Sequence, residues 1–401
     1  MSVKLTRRGF LKVSFIGLAA IASACTRALN KPAGTATSVS TVTLDTTPKP
    51  YAPDDPNILY TGRIDFSDPK KPIFSAPGVT IQARFHGTSA TVMFQDEFAY
   101  GTNRNYYDAV IDDTTVVKIA PEKTVTKYPV ASGLPYGEHS LTLVKRTEAS
   151  IGSCQFLGFE FDGGILPAPA ALPRRIEVIG DSICCGTGAE AVNASPQCQE
   201  DGWGQPYNNA RLSFGPVMAR ALNAACHLTA VSGIGLTRNY SFQYDARPMP
   251  DVYDLTFLEQ TSSPAWDTSR FVPDVIVIAL GTNDFSPGDS ERPSLSVDDF
   301  AAAYVKFIGQ LRSYYPKASI FCTTSPMLGD RWPTSADRFS TDQINAIIKV
   351  VGEMNNSGDA KVYKFMATKI VGMGCGTHPN VDQQAAMAEE LRTYVASVMG
   401  W

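Results

Sequence analysis

Four short blocks carry the residue types that nucleophilic attack on a carbonyl needs. Residues 180–182 read Gly-Asp-Ser, 232–235 Ser-Gly-Ile-Gly, 281–284 Gly-Thr-Asn-Asp and 378–379 His-Pro. A serine hydroxyl becomes a competent nucleophile only when a base takes its proton, and a neutral imidazole suits that task near pH 7. Attack builds negative charge on the carbonyl oxygen. The backbone N–H groups of Ser182 and Gly233 and the side-chain amide of Asn283 are candidate donors to that charge. Asp284, beside Asn283, reads as a loop holder rather than a titrating group. Taken singly each block is weak, since Gly-Asp-Ser is a common turn and Gly-Thr-Asn-Asp can simply close a strand.

The chain has four histidines. His86 and His139 fall in a strand-rich first half, and His227 precedes the apolar run 228–231. His378, in a loop ahead of the closing helical run, is the base by elimination. No carboxylate stands at Cys375, Gly376 or Thr377; the nearby acid is Asp382. What orients the imidazole is open at this point.

The weight of these blocks comes from the elements that must hold them. IEVI (176–179), LTAV (228–231), VIVIAL (275–280) and SIFC (319–322) are short continuous apolar runs, as expected of strands buried on both faces. Between them, Phe300, Tyr304, Phe307, Ile308 and Leu311 recur with helical spacing. Strand and helix alternate, so residues 174–401 predict a three-layer α/β domain with a mostly parallel sheet. Ser182, Gly233 and Asn283 each follow the carboxyl end of a strand, where such sheets bind ligands.

The preceding stretch has another rhythm. Ile81, Ala83 and Phe85 alternate with polar residues, as do Ala90, Val92 and Phe94, and turn-forming clusters separate the runs. Residues 51–165 therefore predict an all-β antiparallel sandwich. LPAPAALP, 166–173, makes the linker. The first 25 residues combine a basic start, a short apolar stretch and small residues, which is a signal peptide. Arg7 and Arg8 match the twin-arginine pattern. Its end fits two readings: Ala22-Ser23-Ala24 suits ordinary signal peptidase, and Cys25 resembles a bacterial lipidation site. Residues 26–50, rich in Thr, Ser, Ala and Pro, read as a disordered tether.

A formal net charge of -4 gives no electrostatic reason to expect nucleic acid. Seven cysteines remain after Cys25, so at least one stays unpaired if all bridges are internal. Their spacing fits no zinc pattern, and no metal or cofactor is expected.

The blocks GDS, SGIG, GTND and HP resemble those of the SGNH (GDSL-like) hydrolases, which carry Ser, Gly, Asn and His in that order on a flavodoxin-like sheet. YTGRIDFSDPKKPIFSAPGVTIQARFHGTSATVMF, LVKRTEASIGSCQFLGFEFDGG, IEVIGDSICCGTGAE, SGIGLTRNY and ALGTNDFS further resemble carbohydrate esterase family 2. The resemblance covers nearly all of the chain beyond the leader. It implies a jelly-roll domain ahead of the SGNH domain and removal of acetyl groups from plant cell-wall polysaccharides or oligosaccharides. It makes Ser182 the nucleophile, Gly233 and Asn283 oxyanion donors, and His378 the base. Family members often show Cys-Asp-x-His-Pro here, so Gly376 falls where they carry an acid. A Ser-His dyad oriented by a backbone carbonyl is the expectation.

Trp332 and Tyr240, each following a strand-end loop, are candidates to stack on a sugar ring. Cys322–Cys375 and Cys185–Cys198 are the expected bridges, the first bracing the His378 loop. The expected protein is an exported bacterial one, periplasmic, secreted or at the cell surface, touching a membrane only through a lipid on Cys25. Two rivals remain: an SGNH lipase or thioesterase on other acyl esters, and a carbohydrate-binding lipoprotein whose hydrolase half has decayed.

Overall fold

A strand with one face in a core alternates apolar and polar residues because successive side chains leave opposite faces. The computed structural model describes residues 47–98, 103–191, 198, 205–240, 247–286, 295–331 and 333–401. In it the run Thr80–Gly87 is a strand whose Ile81, Ala83 and Phe85 are fully buried. Two antiparallel sheets form this way. One orders Lys49–Tyr51, Cys154–Phe161, Ala90–Asp96 and Lys127–Ala131. The other orders Gly164–Leu166, Thr80–Gly87, Gly137–Lys145, Tyr107–Ile111 and Thr115–Ile119. Phe85 of the second sheet stacks on Phe161 of the first with ring centroids 4.4 Å apart, so the sheets share one aromatic core. The expected all-β sandwich is present.

The second half is built on five parallel strands, Arg174–Gly180, Ala224–Ala230, Val275–Ala279, Ser319–Thr323 and Val362–Phe365. In space they run second, first, third, fourth, fifth, the flavodoxin-like order. Continuous apolar runs are needed because both faces are covered. Ile276 and Ile278 join one core with Phe300, Tyr304 and Ile308 of helix Val297–Tyr314 and with Ile347 and Val350 of helix Phe339–Asn356. Val275 and Val277 join another with Phe214 and Met218 of helix Phe214–Ala221 and Leu391 and Val395 of helix Val381–Met399. Two of these helices carry a side-chain cap where the chain must turn. Ser296 accepts from the N–H groups of Asp298 and Asp299, and Asn380 forms a capping box with Gln383. Such a cap contributes about 1 kcal/mol.

The two halves meet through charge as well as apolar surface. Arg63, from the loop after strand Leu59–Thr61, is fully buried and donates through Nη1 to the carbonyls of Tyr253 and Leu255. Its Nη2 lies 3.9 Å from Glu177 on the first parallel strand. Tyr253 Oη and Thr229 Oγ1 donate to the same carboxylate. Residues 45–401 accordingly form one compact unit. The leader, most of the tether and Cys25 lie outside the described residues, as does Trp332.

Candidate active site

The first parallel strand ends at Gly180, where a Cβ would fall 2.2 Å from Cys184 Sγ; glycine lets the chain fold back at once. Asp181 then caps a single helical turn, Ser182–Cys185, by accepting from the Ile183 N–H at 3.0 Å. Ser182 is thereby presented at the strand's carboxyl end. The second strand leads to Gly233 in the left-handed region (φ 79). The third leads through Gly281 (φ 113) into the turn Thr282–Phe285 with Asn283 and Asp284.

These last two segments are locked together. Asn283 Nδ2 donates to the Ile234 carbonyl at 2.7 Å, which fixes the amide plane next to Gly233. Asp284, fully buried, accepts from the N–H groups of Leu236 and Thr237 at 2.9 and 2.6 Å and from Thr237 Oγ1 at 2.7 Å. It holds the loop, the part expected of it. The three strand ends that carry Ser182, Gly233 and Asn283 are neighbours in the sheet, so the residues converge on one rim.

His378 completes the group from the far end of the chain. Its Nε2 lies 2.7 Å from Ser182 Oγ and its Nδ1 2.9 Å from the carbonyl oxygen of Cys375. A carbonyl only accepts, so Nδ1 carries the proton and Nε2 is left to accept the serine hydroxyl. The surrounding protein strips water from the ring and holds its pKa below the ordinary imidazole value, which keeps it neutral and basic. The Cys375 carbonyl, rather than Asp382, occupies the orienting position. The remaining histidines serve elsewhere. His86 packs edge-on against Tyr136, His139 pairs with Asp112, and His227 is buried between Trp266 and Phe271.

Both expected disulfides are corrected. Cys375 pairs with Cys198, Cα atoms 5.6 Å apart, across 177 residues. Cys322 is a free thiol within the buried strand Ser319–Thr323, its side chain in the core beneath the helices. Cys185 is also free, because the turn it ends directs it into the opposite core. Tyr240 is exposed, and its backbone N–H donates to the Gly233 carbonyl at 2.8 Å.

Some supporting residues had no clear signal in the sequence. Within KRTEAS, Glu148 accepts from Thr187 Oγ1 and, at 3.5 Å, from Asn208 Nδ2. Asn208 Oδ1 in turn accepts from the Gly188 N–H at 2.7 Å. Lys145 Nζ, fully buried, donates to the carbonyls of Thr147 and Glu148, each at 2.9 Å. The β half thus props the turn that follows Ser182. Four consecutive charged or polar residues in a strand-ending run, Lys-Arg-Thr-Glu, were the available hint. Among the described residues, no group of three or more His, Cys, Asp or Glu is arranged to hold a metal, and no helix is long and apolar enough to cross a membrane.

Residues 60–169 match the family model described as carbohydrate esterase 2 N-terminal, and residues 176–391 that of GDSL-like lipase/acylhydrolase. The chain is 37% identical over 353 residues to the cellulase/esterase CelE of Acetivibrio thermocellus, covering 87% of this chain but only 40% of that protein. It is 30% identical to an acetylxylan esterase / glucomannan deacetylase of Cellvibrio japonicus, covering 87% of this chain and 91% of that one. The solved structure of a family two carbohydrate esterase from Clostridium thermocellum, in complex with cellohexaose, aligns with a TM-score of 0.75 at 36% identity, over 86% of this chain and 99% of that one. One from Cellvibrio japonicus aligns at 0.77 and 27% identity, over 88% and 99%. With its β half, its parallel sheet and its serine and histidine in contact, the chain belongs to carbohydrate esterase family 2, within the SGNH (GDSL-like) hydrolases.

Proposed function

We propose that the protein is an O-acetyl esterase that removes acetyl groups from hemicellulose-type polysaccharides or their oligosaccharides, acetylated xylan or glucomannan. The contact of His378 Nε2 with Ser182 Oγ carries the reading, and the acetyl and sugar specificity rests on the named activities of the relatives. His378 takes the Ser182 proton as Oγ attacks the acetyl carbonyl. The N–H groups of Ser182 and Gly233 and the Asn283 amide receive the oxyanion. His378 then protonates the departing sugar oxygen, leaving acetyl-serine. Water, deprotonated by His378, releases acetate and restores the free serine. The Cys375 carbonyl stabilises the imidazolium formed at each stage. Such a polymer lies outside the cell, so the reading requires export by the leader of residues 1–25.

Purified protein should release acetate from acetylated xylan or glucomannan, and Ser182→Ala should abolish it. Full activity in that variant would sink the assignment. Comparing acetyl with longer acyl esters separates it from a lipase or thioesterase of the same superfamily. A decayed hydrolase that only binds polysaccharide is disfavoured by the intact Ser182–His378 contact.

A further inference from the structure

The backbone around the base is held in a shape it would not adopt alone. Gly376 (φ 59) and Thr377 (φ 60) both lie in the left-handed region, which a threonine adopts only when its surroundings impose it. Backbone contacts supply part of that constraint. The Cys375 N–H donates to the Gly188 carbonyl at 3.2 Å and the Gly374 N–H to the His378 carbonyl at 2.7 Å. A Cβ at Gly188 would fall 2.3 Å from Cys375 Cβ, so the turn after Ser182 lies directly against the loop. The remaining constraint is covalent. Cys375 is bonded to Cys198, and both are buried with Ala191 against Tyr207. The same Cys375 offers its carbonyl to His378 Nδ1 at 2.9 Å. The brace and the orienting group of the base are therefore one residue.

We propose that the Cys198–Cys375 disulfide positions His378, so that the enzyme reaches its full rate only in the disulfide-bonded form. The inference rests on the Ser182–His378 reading above. Neither cysteine touches a reacting atom; both are positioning residues. A small dithiol opens the bridge by giving up two electrons and two protons: the S–S bond breaks, two cysteine S–H groups form, and the reagent closes to its own cyclic disulfide. Cys375 is then free to relax out of its contact with Gly188, and its carbonyl leaves Nδ1. A carboxylate on a separate residue would keep hold of the imidazole through such a change. Here no side chain at position 376 does so, because it is glycine.

Dithiothreitol tests this on the full folded chain. Among the described cysteines it addresses this bond alone, since Cys154, Cys184, Cys185, Cys226 and Cys322 are free thiols. Hydrolysis of a small acetyl ester is measured on oxidised, reduced and reoxidised protein, with near-ultraviolet circular dichroism reporting that the fold persists. Reduction should lower kcat by about ten- to a hundredfold, the size of effect a small misplacement of a catalytic group produces. KM should stay nearly constant and reoxidation should restore the rate. Cys198→Ala should show the reduced value and no response to dithiothreitol. If the bridge only added stability, reduction would lower Tm and leave kcat of the folded protein unchanged; that result, or a change confined to KM, overturns the inference. An oxidised protein with no esterase activity overturns the Ser182–His378 reading and this inference with it. An active oxidised protein indifferent to reduction overturns this inference alone.

Discussion

Replacing Gly376 by aspartate should convert the proposed Ser182–His378 dyad into a triad. Gly376 has φ 59 and ψ 32, a left-handed conformation that aspartate tolerates better than most side chains. A Cβ built there lies 3.4 Å from His378 Nδ1, so a carboxylate one bond further out reaches the ring without moving the backbone. The present partner, the neutral Cys375 carbonyl, is worth about 0.5–1.5 kcal/mol net, whereas a hydrogen bond to a charged group is worth about 1.5–3 kcal/mol. The difference, roughly 1 kcal/mol, applies where the imidazolium forms and should raise kcat about fivefold. The same charge favours protonated His378, so the acid limb of the pH–rate profile should move up by about one unit. The left-handed residue costs the fold roughly 1 kcal/mol, which Tm will show. The assay is acetyl-ester hydrolysis across pH, with kcat and KM separated. A folded variant with unchanged kcat and an unmoved acid limb would refute the argument that Nδ1 lacks only a charge. Cys375→Asp is the wrong experiment, since it also removes the disulfide.

Three further outcomes follow from the same geometry. Wild-type kcat/KM should hold its plateau to below the ordinary imidazole value of about 6.5, because desolvation lowers the His378 pKa and only the neutral ring is a base; an acid limb at or above that value would contradict the enclosed ring. Asn283→Ala should lower kcat about 10²–10³-fold with KM little changed, and a loss confined to KM would remove Asn283 from the oxyanion site. Asp181 concerns stability: burial pushes its carboxyl up to about 7, so the folded protein holds a proton that the unfolded chain, titrating near about 3.9, has released. Stability from this group is present below the lower value and lost as pH rises through the upper one. Asparagine cannot ionise and keeps the oxygen that accepts from Ile183. The Tm of Asp181→Asn relative to wild type should therefore rise between about pH 4 and pH 8, and a flat difference would show that Asp181 does not titrate there.

Much of this protein was determined by sequence alone, and for a local reason. Whether a strand has one face or two in a core is written in its own residues, so the alternation of Ile81, Ala83 and Phe85 and the unbroken apolar run from Val275 separated the two halves before any contact was known. The ends of those runs placed Ser182, Gly233 and Asn283 on one rim, since a parallel sheet brings its carboxyl ends together whatever lies between them. His378 could be picked out because a chain with four histidines leaves few alternatives. Pairing across distance was decided by the tertiary structure. Cys375 met Cys198 rather than Cys322 because a strand residue facing the core cannot turn outward to a loop, and side-chain direction there depends on what covers the sheet. The hold of Glu148 on the turn after Ser182 arises only where the two halves touch. The partner of His378 was decided in the same way: the atom that holds Nδ1 is a backbone carbonyl, which every residue possesses and no sequence distinguishes.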